Sequence, residues 1–80
     1  MSSVFQVYVK YGCHLCDEMI EHLNLLKADT DFEIEQIDII GHQQLEQRYG
    51  LKVPVLVKDG VEICHYHLDV AQFKNIINQS

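Results

Sequence analysis

The chain has 80 residues, of which 48% are hydrophobic and 22% charged, a globular rather than a disordered composition. Its formal net charge is −6, which argues against nucleic acid and anionic membrane surfaces, since both need a basic face. This length predicts one domain over residues 1–80, burying on the order of 60% of its unfolded surface, and no apolar run approaches the ~18 residues that cross a bilayer.

The residues Met1-Ser2-Ser3-Val4 lack the basic region and apolar stretch of a secretory signal, so the expected compartment is the reducing cytoplasm. Three cysteines are too few for a disulfide scaffold, and the odd number leaves at least one thiol unpaired within the chain. There are no internal repeats, linkers or low-complexity segments.

In chain order, Val4-Phe5-Gln6-Val7-Tyr8-Val9 has apolar residues on both faces and reads as a strand buried on both sides, in the middle of a sheet. Tyr11-Gly12 breaks that run. A helix follows from about Cys13 to about Ala28, with Met19, Ile20, Leu23 and Leu26 on one face. Asp17, Glu18 and Glu21 in its early turns and Lys27 near its end complement the helix dipole. After the polar break Asp29-Thr30-Asp31, the segment Phe32–Ile39 alternates imperfectly and predicts a strand nearer an edge. Gly41 to Tyr49 predicts a short helix closed by Gly50 in the usual C-terminal glycine position. Val53-Pro54-Val55-Leu56-Val57 predicts a third strand, Asp59-Gly60 a two-residue hairpin turn, and Val61 to about His67 a fourth strand. Asp69 is placed to cap a last helix whose Val70, Phe73, Ile76 and Ile77 form one apolar stripe. The result is an α/β chain of order β-α-β-α-β-β-α. It combines a right-handed parallel crossover with an antiparallel hairpin in a four-stranded mixed sheet flanked by helices.

The chemistry concentrates at Cys13-His14-Leu15-Cys16, at the junction of the first strand and first helix. Backbone N–H groups at the helix start, together with Lys10, favour a thiolate at Cys13. Asp17 and Glu18 oppose this, but their side chains are free to point into solvent. Cys16, one turn further on, faces the core with Met19 and Ile20, and burial makes such a thiol a poor first nucleophile. It suits the second step, attack on a mixed disulfide. A Cys13–Cys16 bond would close so small a ring that loop entropy gives it only about 2 kcal/mol, so redox chemistry explains the pair better than stapling. His14 either stabilises the thiolate as an imidazolium or is a solvated loop residue, and the sequence leaves both open.

A CxxC after the first strand and a proline opening the third resemble the thioredoxin fold, and the short chain is most similar to its glutaredoxin-like branch. The likeness spans nearly the whole chain and rests on Lys10, Cys13-His14-Leu15-Cys16 and Val53-Pro54. It implies a thiol-disulfide oxidoreductase in which Cys13 attacks a disulfide and Cys16 resolves the product. It also implies a substrate surface made by Lys10, Tyr11, His14, Leu15, Val53 and Pro54. Further implications are a cis Val53–Pro54 peptide beside the thiols and a Val53 backbone open to an extended substrate. No cofactor is expected to be tightly bound, with glutathione as a redox co-substrate. The partners it implies are a disulfide-containing protein or a glutathione mixed disulfide as substrate, and a reductase or glutathione as reductant. Read without the likeness, Pro54 is an edge-strand proline.

The sequence departs from the glutaredoxin pattern at the glutathione surface. Lys52 stands where a threonine is typical, His14-Leu15 replaces Pro-Tyr, and the Gly-Gly step before an aspartate becomes Ile63-Cys64-His65-Tyr66-His67-Leu68-Asp69. Side chains at Cys64 and His65 crowd a surface that glycines leave open, so weaker glutathione binding is expected. Asp69 either meets the ligand or only caps the last helix, and Lys10, Tyr11 and Lys52 remain to meet glutathione carboxylates. Cys64, His65 and His67, with Cys13, His14 and Cys16, have the chemistry of metal ligands. Their spacing matches no closed motif, however, and alternation puts Cys64 and His65 on opposite faces, so no metal is expected. The rival functions are a metal or iron–sulfur binding or assembly module and a redox-inactive thioredoxin-fold interaction domain.

Overall fold

A computed structural model describes residues 3–79. Met1 and Ser2, part of the segment read above for a targeting signal, and Ser80 lie outside the described residues. The elements are β1 (Ser3–Val9), α1 (His14–Leu26), β2 (Phe32–Asp38), α2 (Gln43–Tyr49), β3 (Val55–Lys58), β4 (Val61–His65) and α3 (Val70–Gln79), in the expected order. They form a four-stranded sheet of order β2-β1-β3-β4. β1 runs parallel to β2 and antiparallel to β3, which pairs antiparallel with β4. No helix among the described residues is long and apolar enough to cross a membrane.

β1 is central, as its apolar run predicts, but it is not buried on both faces throughout. Phe5, Val7 and Val9 are buried against Met19 and Leu23 of α1 and Phe73 of α3. The ring of Phe5 lies 5.9 Å from Phe32 and 4.9 Å from Phe73, a compact aromatic centre. The opposite face is covered by α2, where Tyr8 stacks on Tyr49 at 4.6 Å beside Ile39, Val55 and Val57. A seven-residue helix covers only part of that face, so Val4 stays 39% exposed.

Several element ends differ from the sequence reading, each for a local reason. α1 starts one residue later than expected because Cys13 is its N-cap, and it ends at Leu26 rather than Ala28. β2 stops at Asp38, although Ile39 still donates its N–H to the Val9 carbonyl at 3.0 Å. Gly50 ends α2 in a right-handed conformation, φ −55, and not in the left-handed turn usual for a terminal glycine. Its N–H reaches the Glu46 carbonyl at 2.8 Å, and a side chain there would collide with that same oxygen. β3 begins at Val55 rather than Val53, because a proline has no N–H to give a ladder. Asp59 and Gly60 turn the hairpin at φ 52 and φ 79, the two left-handed residues that a tight hairpin requires.

β4 ends at His65 rather than His67 because Tyr66 leaves the strand at φ 64. Within β4, Val57 pairs with Glu62 and Leu56 with Cys64, so Ile63 is an extra, unpaired residue. This bulge interrupts simple alternation and lets Ile63 and Cys64 both pack against the core on the α1–α3 side. Asp69 caps α3, its side chain accepting the Gln72 N–H at 3.1 Å. Phe73 is buried, and Ile76 and Ile77 pack against the same core as expected.

Candidate redox site

The thiol pair sits where β1 ends and α1 starts. Lys10 to Cys13 form a turn closed by the Cys13 N–H on the Lys10 carbonyl at 3.3 Å, with Gly12 at φ 77. That conformation suits glycine and delivers Cys13 to the end of the helix. Cys13 is half-buried, and its Sγ accepts the Cys16 N–H at 3.1 Å. A sulfur receiving a helix-terminal N–H takes up one of the donors that the first turn leaves unpaired. Cys16 is 2% exposed among the core residues around Met19 and Leu23. Burial is the main cause that pushes its thiol from 9.0 up to about 12, with the hydrogen bond to Cys13 and the charge of Asp17 adding to it. Both thiols are unbridged.

The other residues nominated from sequence fall into two groups. Lys10 and Tyr11, with Cys16, line a cleft of about 520 Å³ at the ends of β1 and β2, and Tyr11 is 90% exposed. Asp17, Gln36 and Asp38 line the same cleft, and the sequence reading singled out only Asp17 among them. Leu15 is half-buried. His14 lies along the helix surface, its Nε2 3.3 Å from Glu18, with the side chain 85% exposed. This is the solvated arrangement of the two that the sequence left open. Val53 packs against the same core as Cys13, and Pro54 is fully buried with a cis Val53–Pro54 peptide.

Lys52 is paired within the chain, its Nζ 2.6 Å from Glu62 Oε1. Glu62 also meets His65 Nδ1 at 3.2 Å, and the Lys52 hydrogen bond holds its carboxyl below the usual 4.5. Neither Glu62 nor Tyr66 stood out in the sequence as a site residue, since both act across the gap between the Pro54 loop and β4. Cys64 is half-buried, and burial pushes its thiol up. His65 and His67 are exposed. Among the described residues no three Cys, His, Asp or Glu side chains converge as a metal-binding group.

The pattern of the Glutaredoxin-like domain (DUF836) family matches residues 5–78. The chain belongs to this family. The chain is similar to a solved protein from Nitrosomonas europaea, 38% identical, covering 96% of this chain and 93% of its own, with a TM-score of 0.88. An X. campestris protein is 28% identical over 95% of this chain and 97% of its own, with a TM-score of 0.73. Thioredoxin 1 of Thermosipho africanus, 20% identical over 95% of this chain with a TM-score of 0.62, shares the fold. An uncharacterized protein of Mycobacterium tuberculosis is 25% identical over 94% of this chain and 82% of its own length. The glutaredoxin-like assignment and the thioredoxin fold thus agree with the element order, and the Cys13–Cys16 pair points to a redox role.

Proposed function

We propose that the protein is a thiol-disulfide oxidoreductase that reduces a disulfide through Cys13 and Cys16. The observation that carries this reading is the asymmetry of the pair. Cys13 is only half-buried and takes a helix-terminal N–H, whereas Cys16 is buried with its thiol raised to about 12. At neutral pH Cys16 holds its proton, so the first attack falls to Cys13.

In the first step the Cys13 thiolate forms a bond to one sulfur of the substrate disulfide. The substrate S–S bond breaks, and the departing thiolate takes a proton from solvent. In the second, Cys16 loses its proton to solvent and attacks the Cys13 sulfur. The mixed disulfide breaks, the second substrate thiolate leaves and is protonated, and a Cys13–Cys16 disulfide remains. Two electrons pass to the substrate, and an external thiol, glutathione or a reductase dithiol, restores the pair. The reading calls for a compartment that keeps thiols reduced, such as the cytoplasm.

A disulfide-containing protein is the substrate this site suits better than a glutathione mixed disulfide. Of the residues nominated for glutathione, Lys52 is paired with Glu62 and Asp69 caps α3, while Lys10 shares the cleft beside Cys16 with two carboxylates, Asp17 and Asp38. An anionic tripeptide meets repulsion there. Val53 and Pro54 form the surface on which the substrate backbone lies, with Lys10, Tyr11, His14 and Leu15 at its margin.

The test is trapping. Cys16→Ser, mixed with a disulfide-bonded protein, should accumulate a mixed disulfide through Cys13, and Cys13→Ser should form none and turn over nothing. Mixed disulfide of equal yield in both variants, or in neither, would refute the assignment.

A further inference from the structure

Residues 51–54 join α2 to β3 and include the backbone that an extended substrate meets. Val53 lies outside the β3 ladder, whose first pair is Val55 with His65, so its N–H and carbonyl are not taken up by the sheet. An unrestrained loop would present those groups in many orientations, and binding would have to pay the entropy of selecting one.

Tyr66 removes that freedom at both ends of the loop. Its backbone N–H donates to the Pro54 carbonyl at 2.9 Å, and its hydroxyl donates to the Leu51 carbonyl at 2.7 Å. Leu51 is otherwise in open solvent, with 91% of its surface exposed. Tyr66 makes these bonds from φ 64, a left-handed conformation that few bulky residues occupy and that persists only where the surroundings enforce it. Its ring is braced edge-on by His65 at 4.7 Å, His65 is bonded to Glu62, and Glu62 holds Lys52 in the same loop. Leu51, Lys52 and Pro54 are therefore all fastened to the end of β4.

We propose that Tyr66 is a positioning residue, which holds the loop of residues 51–54 so that the Val53 backbone is set to pair with a polypeptide disulfide substrate. The inference rests on the redox reading above and adds a selectivity to it. A substrate with a peptide backbone gains from the preset loop, whereas a small disulfide without one gains nothing.

The experiment compares the full-length protein with Tyr66→Phe, which keeps the ring, the turn and the main-chain bond and loses only the anchor on Leu51. Dithiothreitol serves as reductant, and the two substrates are insulin and hydroxyethyl disulfide. For insulin, KM should rise about fivefold, the worth of one neutral hydrogen bond, with kcat little changed. Hydroxyethyl disulfide kinetics should not move. Glu62→Ala, which removes the partner of Lys52 at an exposed position, should shift insulin KM in the same direction by a smaller factor, and it carries the test if Tyr66→Phe does not fold. Equal changes for both substrates, or none for insulin, would overturn the positioning role alone. Wild-type protein that reduces neither substrate would overturn the redox reading and this inference with it.

Discussion

Replacing Cys16 should change how stability depends on pH, and the direction follows from its burial. A thiol whose pKa is raised in the folded state contributes stability that is fully present below its unfolded value. That contribution is lost as pH rises through the folded value. Here the unfolded value is the ordinary 9.0 and the folded value about 12, so the window is the alkaline one. At about pH 7.5 both states keep the proton and nothing is lost. At about pH 10.5 the unfolded chain has released it and the folded chain has not, which costs the fold roughly 2 kcal/mol at about 1.36 kcal/mol per unit. Against a total stability of about 5–15 kcal/mol for a small domain, this is readily measured. The assay is urea unfolding of the reduced wild type and of Cys16→Ala at the two pH values. Titrations of lysines and tyrosines are common to both proteins and cancel. The stability gap between wild type and variant should shrink by roughly 2 kcal/mol at the higher pH. A gap that stays constant would show that the thiol is not held protonated by the core, and the argument that Cys13 must attack first would lose its support.

Asp69→Ala should lower stability by about 1 kcal/mol and the melting temperature by about 4–8 °C, while Asp69→Asn keeps most of both, since either side chain accepts the capping N–H. No loss in the alanine variant, by thermal melting, would mean that the Gln72 contact is not a cap. Glu62→Gln should cost no more than about 1 kcal/mol because its partners are partly exposed. Glu62 has a lowered carboxyl value, so the charge-dependent part of its contribution is present above 4.5 and is lost as pH falls through the lower folded value. Urea midpoints of wild type and variant should accordingly converge in acid, and divergence there would refute the pairing.

How much was legible in the sequence depended on whether the signal was local. The Asp59-Gly60 turn, the capping position of Asp69 and the stripe of Phe73, Ile76 and Ile77 were readable because each needs only neighbours along the chain. The CxxC was readable for the same reason, since a strand, a turn glycine and a helix follow in order from Val4 to Leu26. The burial difference between Cys13 and Cys16 also follows from helical geometry, as one caps α1 and the other faces the core one turn on.

What sequence reasoning misjudged involved contacts between distant segments. Val4 was expected to be covered, but α2 is too short to reach it. The pairing of Lys52 with Glu62 was not foreseen, because Glu62 comes to it only when β4 folds back beside β3. The bulge at Ile63, which turns both Ile63 and Cys64 toward one core, has no glycine or proline to announce it.

The sequence by itself determined the elements, their order and the place of the thiol pair, because hydrophobic period, turn chemistry and capping act over a few residues, and the CxxC with Val53-Pro54 carried the resemblance to glutaredoxins. Only the tertiary structure decided the strand order β2-β1-β3-β4, the pairing of Lys52 with Glu62, and the left-handed Tyr66 that ties Leu51 and Pro54 to the end of β4. Tyrosine has no local preference for that conformation. It is held there by hydrogen bonds to Leu51 and Pro54, 15 and 12 positions away along the chain, partners brought into reach only once β3 and β4 have paired.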